Sequence, residues 1–293
     1  MELLLQLLAN GLVAGSGWAM VALGFGLIFR VTATFHLAHG SVYAAAGYFA
    51  YTAAGEWGLP WTVAFVLATA GATALGCLID LSIYRPLRDR EASPFVVLVS
   101  SLGAAVFLNN LYGLVWSQQV RNLTVAGGPG YALGPVTLSG VQVATVAAAA
   151  VATGAVLAFL AWTRAGIAMR AVANSPFMAR SVGVPVERVR LLTFAVGSLL
   201  AAPAGILTTL DTGARPDMGL AVVLMATISV FVGGIGSLGG AALAALGLGL
   251  VINLGIWQWS ARWQDAIAFS VLLGFVILRP RGLFGMRRRQ AEV

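Results

Sequence analysis

Long runs of apolar residues, separated by little polar sequence, constrain this chain more than any other feature. A helix that spans the hydrocarbon core of a bilayer needs about 20 consecutive, mostly apolar residues. Nine runs approach or exceed that length, at residues 3–29, 37–54, 61–83, 94–116, 141–162, 191–210, 220–232, 241–257 and 266–278. The sequence therefore predicts an all-α, polytopic integral membrane protein with about eight or nine transmembrane or half-helical segments.

The composition excludes the soluble classes of protein. Hydrophobic residues make up 59% of the 293 residues and charged residues only 9%, whereas about 25% of the residues in a soluble protein are charged. So few charges cannot cover a soluble fold, which excludes soluble enzymes, disordered tails and nucleic-acid-binding domains. The single cysteine, Cys77, lies in an apolar run, and we interpret it as a small buried residue rather than part of a disulfide or metal site.

The positions of the arginines predict the orientation of the chain in the membrane. All 17 basic residues are arginines, and most of them lie in residues 85–90, 164–190 and 279–289. If all nine runs cross the membrane, these three segments lie on one side, which the positive-inside rule assigns to the cytoplasm. We therefore expect the N-terminus outside and the C-terminus in the cytoplasm. A re-entrant run would change the side of the N-terminus only.

No soluble domain or catalytic motif interrupts the apolar runs. The longest polar stretches are residues 117–139, expected outside, and residues 164–190, expected inside. The sequence has no Walker A spacing, no Rossmann glycine pattern and no Ser/His/Asp arrangement. We therefore expect no enzymatic activity, no metal site and no cofactor of its own. A transporter of this kind has to take its energy from an ion gradient or from a separate ATPase.

The inner loop, residues 164–190, has the pattern of a segment that docks on a partner. Residues 167–173 favour a helix, and Asn174-Ser175-Pro176 can cap a second short helix that starts with proline. That helix would run from Pro176 to Val182 and end at Gly183, a residue suited to a left-handed cap. A short amphipathic helix closed by glycine fits a groove of a partner protein. The alternative is an ordinary basic connector.

Six sequence motifs, in order, give the chain a resemblance to a known family. They are a glycine-rich helix at residues 22–29, Phe35-His36-Leu37-Ala38-His39-Gly40, Tyr84–Arg88, Arg170–Ala173 with Gly183 beyond it, Gly233–Ser237 and Arg279–Gly285. Over nearly its full length the chain resembles the LivH-like permeases of branched-chain amino acid importers. Its inner loop resembles the coupling loop of ABC-importer permeases.

The resemblance implies a fold, a location and a set of partners. The fold is the ABC-importer permease fold, in one transmembrane permease domain that covers residues 1–293, in a bacterial cell inner membrane. The implied coupling residues are Arg170, Ala171, Ala173, Pro176, Ala179, Arg180 and Gly183. The implied partners are a second permease subunit (a paralogue or a second copy), two cytoplasmic ATP-binding subunits that bind the ATP, and a periplasmic solute-binding protein.

Two positions depart from the family pattern. The family commonly has Asn at the position of His36, and it commonly has Lys at the position of Met225. Loss of a membrane-embedded cation and of an amide predicts a changed solute path.

Polar groups and broken helices at membrane depth are the candidates for the solute path, because hydrocarbon offers them no partners. The candidate residues are His36, His39, Gly40, Asn109, Gly233, Gly234, Gly236 and Ser237. For the histidines, the alternative is hydrogen bonding to backbone carbonyls at a chain break. For the glycines, it is close helix packing. Four further polar residues lie near the expected outer end of the run 191–210, where they could contact the solute or only be solvated. They are Thr208, Thr209, Asp211 and Thr212.

These features favour the permease subunit of a bacterial ABC importer, with branched-chain amino acids or related small polar solutes as its cargo. Urea, short amides and other carboxylates are alternative solutes. An ion-coupled secondary transporter is an alternative class of function, but it needs acidic residues in mid-membrane, where only Asp80 comes close. Asp80 lies four residues before Tyr84, and we expect it to meet Tyr84 or Arg85 at the inner end of its helix, most simply as a local ion pair. Co-purification with an ATPase discriminates between the two classes.

Overall fold

Twelve α-helices make up most of the computed structural model, which describes residues 2–123, 130–258, 260–279 and 282–285. In chain order they are α1 (Glu2–Thr32), α2 (His39–Ala50), α3 (Trp61–Ile79), α4 (Arg85–Asp89), α5 (Pro94–Trp116), α6 (Gly140–Trp162), α7 (Arg164–Asn174), α8 (Pro176–Ser181), α9 (Val186–Thr212), α10 (Met218–Gly233), α11 (Leu238–Gln258) and α12 (Gln264–Leu278). A π-helical turn, Tyr51–Glu56, extends α2, and a second, Asp80–Tyr84, joins α3 to α4. A 3₁₀ turn, Ala261–Trp263, precedes α12.

Each predicted apolar run becomes a helix at its predicted place. Six of the described helices are long and apolar enough to cross a membrane. The extended α2, α10 and α12 are shorter apolar segments. Together with the six long helices they give nine apolar helical segments in the described part of the chain. The 16 residues of α10 reach about 24 Å at about 1.5 Å per residue, which is less than the hydrocarbon thickness of about 30 Å. The predicted all-α, polytopic membrane fold is confirmed.

The helices α1 and α11 pack closely through glycines. Gly11 lies against the backbone of Gly249, and Gly15 lies against the backbone of Ala245. Further along, Gly26 lies beside Leu238, at the start of α11. The two helices are therefore antiparallel. A side chain at Gly11 or Gly15 would meet backbone atoms of α11, so this approach requires glycine.

Contacts between segments that are distant in the sequence show which helix termini lie at the same end of the bundle. At one end, Gln6 donates to the Thr137 carbonyl at 3.1 Å, and Arg121 forms a β-bridge with Ala214; we call it the hairpin end. At the other end, Arg88 pairs with Glu187 at 3.3 Å; we call it the arginine end. The start of α1, the start of α6 and the end of α9 therefore lie at the hairpin end.

A short β-hairpin in the loop between α5 and α6 was not predicted. Its strands are β1 (Tyr131–Leu133) and β2 (Val136–Leu138), paired antiparallel with Tyr131 opposite Leu138. The two-residue turn begins at Gly134, whose φ is +64°, as the tight turns of hairpins require. Strands of three residues are too short to show an alternating pattern in the sequence. Residues 124–129 of the predicted outer loop lie outside the described residues.

Candidate coupling segment and solute path

The inner loop folds into two short helices, α7 and α8, as the sequence predicts. The Thr163 hydroxyl caps α7 by accepting from the Gly166 amide at 3.0 Å. The Ser175 hydroxyl caps α8 by accepting from the Met178 amide at 3.2 Å. Pro176 occupies the first turn of α8, where the missing N–H of proline costs no helical hydrogen bond.

Gly183 closes α8 in the left-handed conformation, with φ of +82°. The Gly183 amide donates to the Arg180 carbonyl at 3.0 Å, and the Val184 amide donates to the Ala179 carbonyl at 3.0 Å. This pair of bonds is the Schellman motif, which satisfies the last carbonyls of a helix. The predicted glycine cap is confirmed. The helix ends at Ser181 rather than at Val182, a difference within the usual variation of helix boundaries.

One face of this segment packs on the helix bundle, and the tip of α8 is exposed. Met169, Val172 and Ala179 are buried in a cluster with residues of α1, α6, α9 and α11. On the exposed side, Phe177 and Val182 are 78% and 79% accessible. Exposed apolar side chains that lie close together are typical of a surface that contacts a partner.

The predicted coupling residues divide between these two environments. Ala179 is buried, and Ala171 and Ala173 are half-buried against the bundle. The remaining predicted residues are exposed: Arg170, Pro176, Arg180 and Gly183. Contact of the exposed residues with an ATPase stays a prediction.

An ion-pair cluster lies between the bundle and α8 at the arginine end. Arg88 bonds Asp80 at 2.8 Å and Glu187 at 3.3 Å, and Glu187 also accepts from Arg190 at 2.6 Å. Arg180 on α8 lies 4.0 Å from the same Glu187 carboxylate. The cluster therefore connects α8 with α9, with α4 and with the π-helical turn after α3.

The sequence predicted only the local part of this cluster. Asp80 was expected to pair with Tyr84 or Arg85, but its partner is Arg88, eight residues away. Glu187 was missed, because it lies 99 residues from Arg88 in the chain and local spacing carries no information about such a pair. Glu187 is the one acidic residue in residues 164–190, and that was the available signal.

His36 and His39 lie side by side within the helix packing, with ring centroids 5.4 Å apart. Both side chains are fully buried. The His36 Nδ1 atom is hydrogen-bonded to the Tyr84 hydroxyl at 2.8 Å, and the Tyr84 hydroxyl donates to Ser101 at 2.8 Å. Ser101 also accepts from the Ala38 amide at 3.3 Å. His36 therefore belongs to a buried polar cluster at the chain break between α1 and α2, whereas neither ring nitrogen of His39 has a hydrogen-bond partner among the described residues.

Gly40 and Asn109 also make contacts that hold helices together. Gly40 lies directly against the backbone of Gly219, so a side chain at either position would push α2 and α10 apart. Asn109 accepts a hydrogen bond from the Ser41 hydroxyl at 3.2 Å. These contacts favour the packing interpretation that the sequence left open, while a part for these residues in solute passage stays a prediction.

The segment Gly233–Ser237 forms the turn between α10 and α11, at the arginine end. The Leu283 amide donates to the Val232 carbonyl at 2.8 Å, and the Phe284 amide donates to the Gly233 carbonyl at 3.0 Å. Gly234 and Gly236 adopt φ of +104° and +100°, and the Ser237 hydroxyl caps α11 by accepting from the Gly240 amide at 3.1 Å.

The C-terminal motif therefore covers the end of α10. Gly233 and Gly234 are buried, and Gly236 and Ser237 are half-buried. Within the described residues, the structure brings His36, His39 and Gly40 together, whereas Gly233–Ser237 lies in a separate turn. Residues 280 and 281 of the C-terminal motif, and Arg287, Arg288 and Arg289, lie outside the described residues.

Comparison with known proteins agrees with this architecture. Residues 7–276 match the family described as "Branched-chain amino acid transport system / permease component". The chain is 30% identical to the high-affinity branched-chain amino acid transport system permease protein BraD of Pseudomonas aeruginosa, over 96% of this chain and 95% of BraD. It is 29% identical to the corresponding protein LivH of Escherichia coli K12, over 96% of this chain and 95% of LivH.

Two further similarities are more distant. Over 45% of its length the chain is 34% identical to the autoinducer 2 import system permease protein LsrC of an Enterobacter species, of which it covers 40%. A chain of PsaBC from Streptococcus pneumoniae, solved in complex with a Fab, has a similar fold, with a TM-score of 0.52 and 14% identity over 93% of this chain and 91% of that chain. The predicted resemblance to LivH-like permeases is confirmed. This multi-pass membrane protein belongs to the family of branched-chain amino acid transport permeases and is a permease subunit of an ABC importer.

Proposed function

We propose that the chain forms, with a second permease subunit, the pathway of a bacterial importer for branched-chain amino acids or closely related small solutes. Two cytoplasmic ATP-binding subunits bind and hydrolyse the ATP, and a periplasmic binding protein delivers the solute. The second permease subunit is a paralogue or another copy of this chain. The permease has no enzymatic activity and no cofactor of its own. The observation that carries the proposal is the capped helix α8 with its exposed apolar tip.

The geometry supports a simple route for the coupling of ATP hydrolysis to transport. Phe177 on α8 and Val182, directly after it, dock in a groove of the ATP-binding subunit, and Gly183 fixes the direction of the chain beyond Val182. When the ATP-binding subunits move, α8 moves with them. The ion-pair cluster then transmits the displacement through Glu187 to α9 and through Arg88 to the segment after α3.

The solute is assigned from the relatives. BraD and LivH are described as high-affinity branched-chain amino acid transport permeases and match 96% of this chain. In a complex of this chain with its ATP-binding subunits and binding protein in proteoliposomes, we expect L-leucine uptake that requires enclosed ATP. A non-hydrolysable ATP analogue is the control and gives no uptake. Uptake driven by an ion gradient without ATP would show a secondary transporter instead.

The arginine end is assigned to the cytoplasm, as the positive-inside rule requires. Arg30, Arg85, Arg164 and Arg279 lie at or beside helix termini of this end. We expect alkaline phosphatase fused after Val293 to be inactive in a bacterial host, because this enzyme becomes active only outside the cytoplasm. The matched fusion in the loop after Trp116, at the hairpin end, is expected to be active. Strong activity of the C-terminal fusion would reverse the orientation.

A further inference from the structure

A cavity of about 340 Å³ lies within this single chain at the hairpin end. Residues of α1, α2, α6, α9 and α10 line it, so a single permease chain supplies all of its described lining. Its volume is in the range of about 300–1,000 Å³ that is common for small-molecule sites.

The lining residues show where the cavity opens and how deep it reaches. Gln142 lies in the first turn of α6, and Asp211 lies in the last turn of α9, so both are at the mouth. Trp18 follows Asn10 by eight residues on α1, which corresponds to about 12 Å along the helix. Tyr43, also in the lining, is almost fully buried. The cavity therefore extends from the hairpin end into the interior of the bundle.

The polar part of the lining presents one negative charge and several hydrogen-bond donors. Among the described residues, Asp211 is the one carboxylate that lines the cavity, and it makes no ion pair there. The Asn10 side-chain oxygen accepts from Gln6 at 2.9 Å, and the Gln142 side-chain oxygen accepts from the Ser139 amide at 3.1 Å. Among the described residues no hydrogen bond uses the NH₂ groups of Asn10 and Gln142 as donors, so these groups are available to a ligand.

The remaining part of the lining is apolar. Val13, Leu207 and Val222 contribute aliphatic surface, and Trp18 contributes a large aromatic face. A small cavity with an acid at the mouth, amide donors and an aliphatic wall matches the chemistry of a zwitterion with an apolar side chain.

We propose that this cavity binds the solute as a zwitterionic amino acid with an aliphatic side chain. Asp211 binds the ammonium group, the amides of Asn10 and Gln142 bind the carboxylate, and the aliphatic wall takes the side chain. The inference rests on the proposed function and deepens it, because it places a site for the solute within this permease subunit, at the hairpin end.

A thiol-accessibility experiment tests the site without relying on transport. In a Cys77→Ala background, Ala14→Cys places a thiol in the cavity lining, at a residue that takes no part in the proposed contacts. The full transporter complex in nanodiscs is treated with a small cationic and a small anionic methanethiosulfonate. We expect the cationic reagent to react about three- to tenfold faster, because Asp211 attracts cations into the cavity. Asp211→Asn is expected to remove this preference.

Ligand protection identifies the chemistry of the occupant. Millimolar L-leucine is expected to slow the labelling of Ala14→Cys at least twofold, whereas 4-methylpentanoate, which lacks the ammonium group, leaves the rate unchanged. Gln119→Cys, exposed at the hairpin end, is the control whose rate does not respond to leucine. Equal protection by the two compounds, or protection by neither, would overturn the proposal.

A transport measurement separates this inference from the proposed function. In proteoliposomes, Asp211→Asn is expected to lower L-leucine uptake about tenfold below saturation, since charge-assisted bonds are the stronger ones. Asp217→Asn is the matched control, since Asp217 is exposed nearby but does not line the cavity. Normal L-leucine uptake by both variants would show that the cavity is not a solute site, without contradicting the proposed importer function. If leucine protects Ala14→Cys from labelling but the complex shows no ATP-dependent uptake, the solute site is supported and the proposed importer function is contradicted.

Discussion

An Arg88→Met variant is expected to be much less stable than the unmodified protein, because the substitution leaves Asp80 as a buried charge without its counter-ion. The Asp80 side chain is 1% accessible and the Arg88 side chain is 13% accessible, so water cannot replace the lost partner. Removal of one member of a buried ion pair costs about 3–5 kcal/mol. Thermal denaturation of the detergent-purified protein, followed by tryptophan fluorescence, measures the effect.

Two further variants show whether the buried charge is the cause. Arg85→Met removes an exposed arginine from the same short helix and is expected to change the stability by less than about 0.5 kcal/mol. The double variant Asp80→Asn with Arg88→Met removes both charges, so it is expected to recover a large part of the loss. If Arg88→Met and Arg85→Met melt alike, the ion-pair cluster does not stabilise the arginine end.

The sequence predicted the helices well, because the bilayer makes each span visible in the length of an apolar run. It also predicted the end of α8, since a capping serine, a first-turn proline and a closing glycine all act within a few residues. The side-chain contacts that form the buried polar cluster around His36 and the ion-pair cluster around Arg88 were not predictable in this way. His36 meets Tyr84 across 48 residues, and Arg88 meets Glu187 across 99, so both pairs depend on how the helices pack.

The segment Gly233–Ser237 shows how a local signal can have two explanations. A run of 13 apolar residues followed by glycines suggested a half-helix that stops at membrane depth. In the structure α10 starts at Met218 and includes Gly233, so the helix is longer than the apolar run. The glycines then allow a tight turn that the distant residues Leu283 and Phe284 cover. Sequence spacing alone could not show that Leu283 and Phe284 pack on this turn.

The glycine that closes α8 permits a direct test of the coupling segment. Gly183→Val is expected to reduce L-leucine uptake per ATP hydrolysed, because a β-branched residue is strained at φ of +82°. No atom lies within 4 Å of the position that its Cβ would take, so the effect comes from the backbone conformation and not from a clash. A left-handed conformation costs about 1–2 kcal/mol for a residue other than glycine, and such a cost changes an equilibrium about 5- to 30-fold. The complex in proteoliposomes, assayed for both activities, gives the ratio.

Two variants separate the loss of the cap from a general effect of removing a glycine. Gly183→Asn is expected to retain most of the coupling, because asparagine is the residue that replaces glycine most readily in left-handed caps. Gly154→Val on α6 also has open space around the new side chain, but its backbone is helical, so coupling is expected to be normal. A low ratio of uptake to hydrolysis in Gly183→Val alone would therefore assign the coupling of ATP hydrolysis to the geometry of α8. If Gly183→Val couples as well as Gly154→Val, then α8 is an ordinary connector and another part of the arginine end contacts the ATP-binding subunits.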